Sequence, residues 1–544
     1  MGLGVLDAKS VEQILGTSLL DEDANSGISD RLRATLKTAT GKNGNIVLIP
    51  QPSNDVNDPL NWPEWKKQLT FAVLCFGTAL VCVPGPMLGS SFGILNEEFN
   101  TSFTKLAQLN GIVIVMAAPS IWMASAVIPY FGKRPVFLVS MILMMVACIW
   151  AAKANSYGSL LGARAIQGFA AGPFEAVVTG TIADLFFVHQ RGKYSAAWVM
   201  CQLGPTNLAP LICAYIATNL GWRWAFWILA IFSGICTILL FFFCPETHYK
   251  HDTNIETMIA EDDTEKEAPT MHAEQAENGG QVQFQGSRKT FVQELSLFPT
   301  HRLSKDNLIK SLIRPFALLS YPAILYGSFC YAMTVNWAVI LNISLVQVLS
   351  GPPYLFDAVQ VGLVYLSAFA WVLITSFLAG PLSDLLAKKL SRKNNGIYEP
   401  EFRLWVVILY LFFGTMGFVG FGLSVAAGDH WFGFTMFMGM INGASIFGNV
   451  TFIAYVVDCH PFVASESLIT LNIAKSVIVY AFTWFINDWI AARGVKETFS
   501  ILGGLNTFIA LLSIPMYIAG KRGREWIQTS PALNALQYYA GEAR

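Results

Sequence analysis

The chain has 544 residues, 54% of them hydrophobic and only 13% charged, with a formal net charge of −1. A soluble domain of this size carries roughly twice that charged fraction, so the composition excludes an ordinary soluble protein and points to a chain that crosses a membrane many times. Near-neutral charge, with no basic stripe interleaved with aromatics, gives no argument for a nucleic-acid partner.

In chain order, residues 1–67 read as a polar cytoplasmic tail without the charged leader and long apolar core of a cleavable signal. The tail ends in Asp58-Pro59-Leu60-Asn61-Trp62-Pro63, rich in turn formers, and Trp62, Trp65, Lys66 and Lys67 suit an anchor at the membrane interface. Six apolar runs follow near 68–92, 108–131, 135–153, 158–184, 195–217 and 223–244, each long enough for about 20 helical residues to cross the hydrocarbon. A polar cytoplasmic loop at 245–315 separates them from six more, near 316–343, 358–382, 404–427, 431–457, 466–490 and 498–519, before a cytoplasmic tail at 520–544. The expected fold is an all-α membrane protein of twelve transmembrane helices in two pseudo-symmetric six-helix bundles, 68–244 and 316–519.

Lys66 and Lys67, Lys133 and Arg134, Arg191 and Lys193, the run Lys388 to Lys393, and Lys521 to Arg524 all fall on one side if every run spans. That side is expected to be the cytoplasm, with both termini inside. The loop DCHPFVASE between the tenth and eleventh runs departs from the pattern, having no Lys or Arg. Asn100-Thr101-Ser102 then lies outside as a candidate glycan acceptor. Within the central loop, Asp252 to Glu277 is acidic and low in apolar content, which reads as disordered, and Arg288 to Arg314 is basic and amphipathic, which suits a helix along the membrane surface. The nine cysteines fall almost entirely within apolar runs and read as small buried hydrophobes.

The fourth run carries two charges inside its apolar length. The eleven-residue step from Arg164 to Glu175 returns to within about 20° of one helix face and separates them by roughly 16 Å. Gly168, Ala171 and Gly172 lie on or near that face, where small side chains let another helix or a ligand approach. Lys475 stands about ten residues into the eleventh run, near the midplane by the helical rise, too deep to snorkel easily. Ionisable residues in a span are costly and are functional candidates by default.

The order of elements resembles the major facilitator superfamily, and several stretches over roughly residues 50–525 resemble its fungal twelve-span drug:proton antiporter branch. Leu160-(x)3-Arg164-(x)2-Gln167-Gly168-Phe169-Ala170-Ala171 matches that superfamily's fourth-span motif. GWRWAF at 221–226, Pro245-Glu246-Thr247, DPLNWPEWKK before the first run and EFRL before the ninth resemble the fungal branch. The superfamily's loop motif after the second span survives in SAVIPYFGKR as Gly132, Lys133 and Arg134, with Pro129 in place of the acid. The equivalent GPLSDLLAKK after the eighth keeps Gly380, Leu382, Asp384, Lys388 and Lys389, a recurrence that supports two parallel repeats. Such loops either latch helix ends together as a gate or only set topology. The fifth-span antiporter motif is poorly kept, with Ala196, Pro205, Ala209, Cys213 and Ala214 where its glycines belong.

The resemblance implies a proton-coupled secondary transporter, a non-enzyme without cofactor or metal, that exports a small amphipathic organic compound (multidrug efflux) across a fungal plasma membrane. Its expected partners are the solute, protons and the bilayer, and it is expected to act as a monomer. Glu175 and Asp184 are the candidate proton-coupling residues, the second also readable as a gate or loop latch or as an ordinary charge at a helix end. Desolvation of Glu175 favours its neutral form, so protonation can couple to transport; a carboxyl hydrogen-bonded in packing is the other reading. Arg164, Gln167, Asn207, Asn336, Asn442 and Lys475 are the candidate substrate contacts, and Arg164 and Lys475 also have a purely structural reading as partners of neighbouring helices. Other in-span amides and aromatics, among them Asn110, Asn472, Tyr331 and Trp337, suit a cavity for an amphipathic molecule. No Gly-x4-Gly-Lys-Ser/Thr loop is present to support ATP-driven transport. Import of a cationic nutrient such as a polyamine is the alternative function, and a non-transporting sensor a more remote one.

Overall fold

The computed structural model describes residues 4–6, 16–19, 38–41, 44–47, 52–53, 55–248, 290–296 and 308–530; the expected disordered stretch at 252–277 lies outside them. Twelve long helices form the described body: α1 (Glu64–Cys82), α2 (Phe103–Phe131), α3 (Arg134–Ala152), α4 (Tyr157–Leu185), α5 (Val188–Asn219), α6 (Trp222–Phe243), α7 (Pro322–Leu349), α8 (Ala358–Lys393), α9 (Val407–Ala427), α10 (Trp431–Cys459), α11 (Ala464–Thr483) and α12 (Ile486–Leu511). Among the described residues, ten helices are apolar and long enough to cross a membrane on those grounds alone. The two that fall short, α4 and α11, are lowered by Arg164, Gln167 and Glu175 in one and by Glu466, Asn472 and Lys475 in the other.

The pairs α2 with α4, α3 with α6 and α1 with α5 in the first half recur, six helices on, as α8 with α10, α9 with α12 and α7 with α11 in the second. The halves meet where α2 lies on α11 and α5 on α8, two contacts related by the same shift. This is the pseudo-symmetric two-bundle fold expected from the apolar runs.

Two departures concern helix ends. α12 is broken at Gly494 (φ 78°, ψ 165°), so its last crossing starts at Val495. A further helix, α13 (Ser513–Thr529), continues past 519 into the expected tail, because Arg524 on it is buried against Glu399 and Glu401 at 3.1 and 2.8 Å. Within the expected surface helix at 288–314, Phe291–Glu294 and Leu308–Ala317 are helical, and Trp122 of α2 donates to the Leu312 carbonyl at 2.7 Å.

The small residues of α4 set how closely α2 approaches. A Cβ on Gly168 would lie 2.2 Å from the Val113 carbonyl oxygen, and one on Gly172 would lie 2.8 Å from that of Ala117. Gly168→Leu is therefore expected to cost about 3 kcal/mol, since backbone rather than a flexible side chain must yield; thermal unfolding of the detergent-solubilised protein measures it, and an unchanged midpoint would show that α2 and α4 are not packed this way.

Candidate functional site

Glu175 sits ten residues from the C-terminal end of α4 and Lys475 eleven from the start of α11, so each lies about 15 Å into the bundle by the helical rise. The Lys475 ammonium donates to the Glu175 carboxylate, joining the first half to the second. The Lys475 side chain is 5% exposed and that of Glu175 is 22%, so the carboxylate is the member of the pair open to a small ion. Cys82 at the end of α1 and Tyr331 of α7 lie within electrostatic reach of both. Four helices from both halves thus converge on one ion pair. Asn472, one turn before Lys475, donates to the Leu468 carbonyl at 2.9 Å, and its amide oxygen has no protein partner among the described residues.

The side of this site away from the basic loops is closed. Thr104 donates to Asp488 at 2.5 Å and Asn487 to the Phe103 carbonyl at 3.2 Å. A Cβ on Gly111 would meet Thr483 Oγ1 at 2.6 Å, and one on Gly89 would meet Asn342 Oδ1 at 2.5 Å. These contacts join the halves at the ends of the helices opposite the basic loops. Access to Glu175 therefore runs from the side that carries those loops.

Arg164 and Gln167 occupy a different environment. Both are fully buried. The Arg164 guanidinium donates to the Leu109 carbonyl (3.1 Å), Gln167 Oε1 (3.2 Å), the Gly85 carbonyl (3.4 Å) and Asn110 Oδ1 (2.9 Å). Gln167 in turn donates to Cys148 at 3.3 Å. A cation met by four neutral oxygens of its own half ties α4 to α2 and to the turn after α1. Asn207 and Asn442 donate to carbonyls four residues earlier, at 2.9 and 3.0 Å. Asn336 is fully buried, and neither atom of its amide has a protein partner among the described residues. The structure thus brings Glu175 and Lys475 together and leaves the other candidate contacts apart from them.

The face that bears the basic loops carries a charged cluster, a candidate latch, in each half. Lys133 pairs with Asp184 at 2.5 Å, and Glu246 of the Pro-Glu-Thr stretch accepts from the backbone N–H of Lys133 (2.9 Å) and of Arg134 (3.0 Å). Gly132 has φ 84°, and a Cβ there would lie 2.1 Å from Glu246, so only glycine lets the loop close onto that carboxylate. Arg134 reaches the Phe241 carbonyl at 2.7 Å. Asp184 is thus paired with the loop cation Lys133, nine residues along α4 from Glu175.

In the second half Asp384 pairs at 3.0 Å with Arg403, which also holds Asp458. Arg403 belongs to the EFRL stretch, whose motif gives no sign of this pairing with Asp384. Lys388 and Lys389, the expected latch cations, are exposed on the long α8, and a Cβ on Gly380 would meet nothing within 4 Å. Among the described residues no three His, Cys, Asp or Glu side chains stand together as metal ligands.

Beside this second latch, burial together with the Arg524 guanidinium pushes the His460 imidazole down to about 3. Folded His460 stays neutral while the unfolded residue takes up a proton below about pH 6.5, so this stabilisation is present above 6.5 and is lost as pH falls toward 3. Stability is expected to drop by about 2 kcal/mol between pH 6.5 and 5, and His460→Gln should remove that slope in thermal unfolding measured against pH.

Comparison with known proteins follows the same lines. The family model for the Major Facilitator Superfamily matches residues 74–477. An uncharacterised MFS-type transporter of Schizosaccharomyces pombe is 26% identical, the match covering 97% of this chain and 94% of that one. Protein HOL1 of Saccharomyces cerevisiae is 26% identical over 90% and 91% of the two chains, and the efflux pump radE of Floropilus chiversii 25% identical over 87% and 82%. Among solved structures, the xylose transporter XylE of E. coli in a partially occluded inward open conformation superposes with a TM-score of 0.56 at 14% identity, covering 84% of this chain and 98% of its own.

Proposed function

The chain belongs to the Major Facilitator Superfamily, and we propose that it is a proton-coupled exporter of a small amphipathic organic compound, working in the plasma membrane by alternating access. The observation that carries this reading is the Glu175–Lys475 pair, the one strong electrostatic link between the halves described at this depth, with its carboxylate partly exposed. A proton arriving on Glu175 ends that pair. Its binding free energy therefore differs between a state in which α4 and α11 hold each other and one in which they do not, and only such a difference lets a gradient drive the cycle.

In the state with the outer side closed, a deprotonated Glu175 held by Lys475 is the carrier after proton release to the inside. The solute then enters from the inner side, and protons returning from outside complete the exchange. A relative named as an efflux pump supports the outward direction. Import of a cationic nutrient such as a polyamine fits less well, because the cation would have to displace Lys475 and leave its ammonium buried without a counter-charge.

Growth of cells with and without the protein across a panel of toxic organic compounds tests both substrate and direction. Resistance to a subset of compounds, falling as external pH rises, is the expected result. Greater sensitivity, together with uptake of labelled polyamine, would reverse the direction. Asn100 is exposed at the left-handed end of the helix Phe92–Phe99 (φ 48°), and we propose it as a glycan acceptor; a gel-mobility shift on endoglycosidase treatment, absent in Asn100→Gln, is expected.

A further inference from the structure

The N-terminal tail returns to the inner face of the second half, far in sequence from the helix it precedes. Ser18 and Leu19 pair antiparallel with Tyr398 and Ile397. Gly16 has φ 83°, and a Cβ there would lie 2.5 Å from the Asp458 carbonyl and 3.1 Å from Arg524. The Thr17 hydroxyl donates to Glu399 at 2.8 Å and accepts from Arg524 at 3.3 Å. Glu399 is itself buried and is held by Lys521 at 2.6 Å and by Arg524 at 3.1 Å, while Glu401 takes Arg524 at 2.8 Å. Nearer the start, the Leu6 N–H donates to the Ile518 carbonyl at 3.0 Å, and Val5 is buried. All of these contacts lie in the second half, although the helix that the tail leads to, α1, belongs to the first.

We propose that residues 16–19 are a detachable strap and that phosphorylation of Thr17 or Ser18 releases it. The sequence Thr17-Ser18-Leu19-Leu20-Asp21-Glu22-Asp23 places acids three to five residues after Ser18 and four to six after Thr17, the pattern an acid-directed protein kinase reads. The γ-phosphoryl of ATP passes to the side-chain oxygen, the hydroxyl proton is lost and ADP leaves. The product carries roughly −1.5 to −2 charges. In the docked strap the two carboxylates, Glu399 and Glu401, are already balanced by Lys521 and Arg524. A phosphate on Thr17 removes the donor that Glu399 accepts from and sets a dianion against that carboxylate, and the close approach at Gly16 leaves no slack to move it away. Like-charge repulsion beside a buried acid disrupts a contact rather than creating one.

Hydrogen–deuterium exchange on the full-length protein in lipid nanodiscs tests this directly. In the unmodified protein, peptides spanning 16–19 and 394–399 should exchange slowly. After treatment with an acid-directed kinase and Mg-ATP, with the added phosphate located by mass spectrometry, both should exchange at least tenfold faster. Gly16→Val should do the same without any phosphate. If Gly16→Val leaves exchange unchanged, the strap is not docked. If phosphate is added and exchange is unchanged, or if the kinase fails to modify Thr17 and Ser18 even in Gly16→Val, phosphorylation is not its release.

Discussion

Lys475→Met is expected to lower stability by about 3–5 kcal/mol, because it leaves the Glu175 carboxylate inside the bundle without its ammonium. Breaking a buried pair from one side strands a charge, whereas removing both members need not. The double change Glu175→Gln with Lys475→Met should therefore recover most of that loss, despite lacking the pair altogether. Thermal unfolding in nanodiscs gives the three comparisons needed for a double-mutant cycle. Additive effects of the two single changes would show that Glu175 and Lys475 do not act as a pair in the folded protein.

The second large effect concerns coupling. Glutamine at 175 keeps the shape of the side chain and has no proton to exchange. With one proton moved per solute, each unit of pH gradient is worth about 1.4 kcal/mol and sustains roughly tenfold accumulation. Glu175→Gln should reduce that ratio to about one while leaving downhill exchange of solute measurable. Because Lys475 is then stranded, the same measurement on the double variant separates loss of coupling from loss of folding. Gradient-driven accumulation that survives in both variants would move the proton site elsewhere.

Much of this architecture was legible because membrane spans are written in apolar runs. Ten of the helices satisfy that signal by themselves, and the two that do not were still visible because their charges are few and set in long apolar flanks. The fourth-run motif likewise announced close packing, and Gly168 and Gly172 lie against the α2 backbone. Partnership was not legible. Glu175 and Lys475 stand 300 residues apart, and nothing in either helix says that they face each other.

Arg164 shows the same limit from the other side. Its depth made it a candidate for the cavity, but its carbonyl and amide acceptors come from Leu109, Asn110 and Gly85, and backbone carbonyls have no sequence signature. For the latch of the second half, motif spacing pointed to Lys388. α8 continues unbroken to Lys393, which carries that lysine out along an exposed face, and Arg403 from the next segment takes its place beside Asp384. The recurrence of Asp384 was readable; the cation that answers it depends on where one helix stops.

The central claim is that a proton and an organic solute exchange across this protein at Glu175. It is tested most directly in proteoliposomes loaded with a pH-sensitive dye and given, with no imposed gradient, a compound identified by the growth screen. Entry of the compound should drive proton exit, and the lumen should become alkaline in proportion to the compound taken up, with no such change in Glu175→Gln. Uptake of the compound without a change in lumenal pH, or with acidification, would contradict the account.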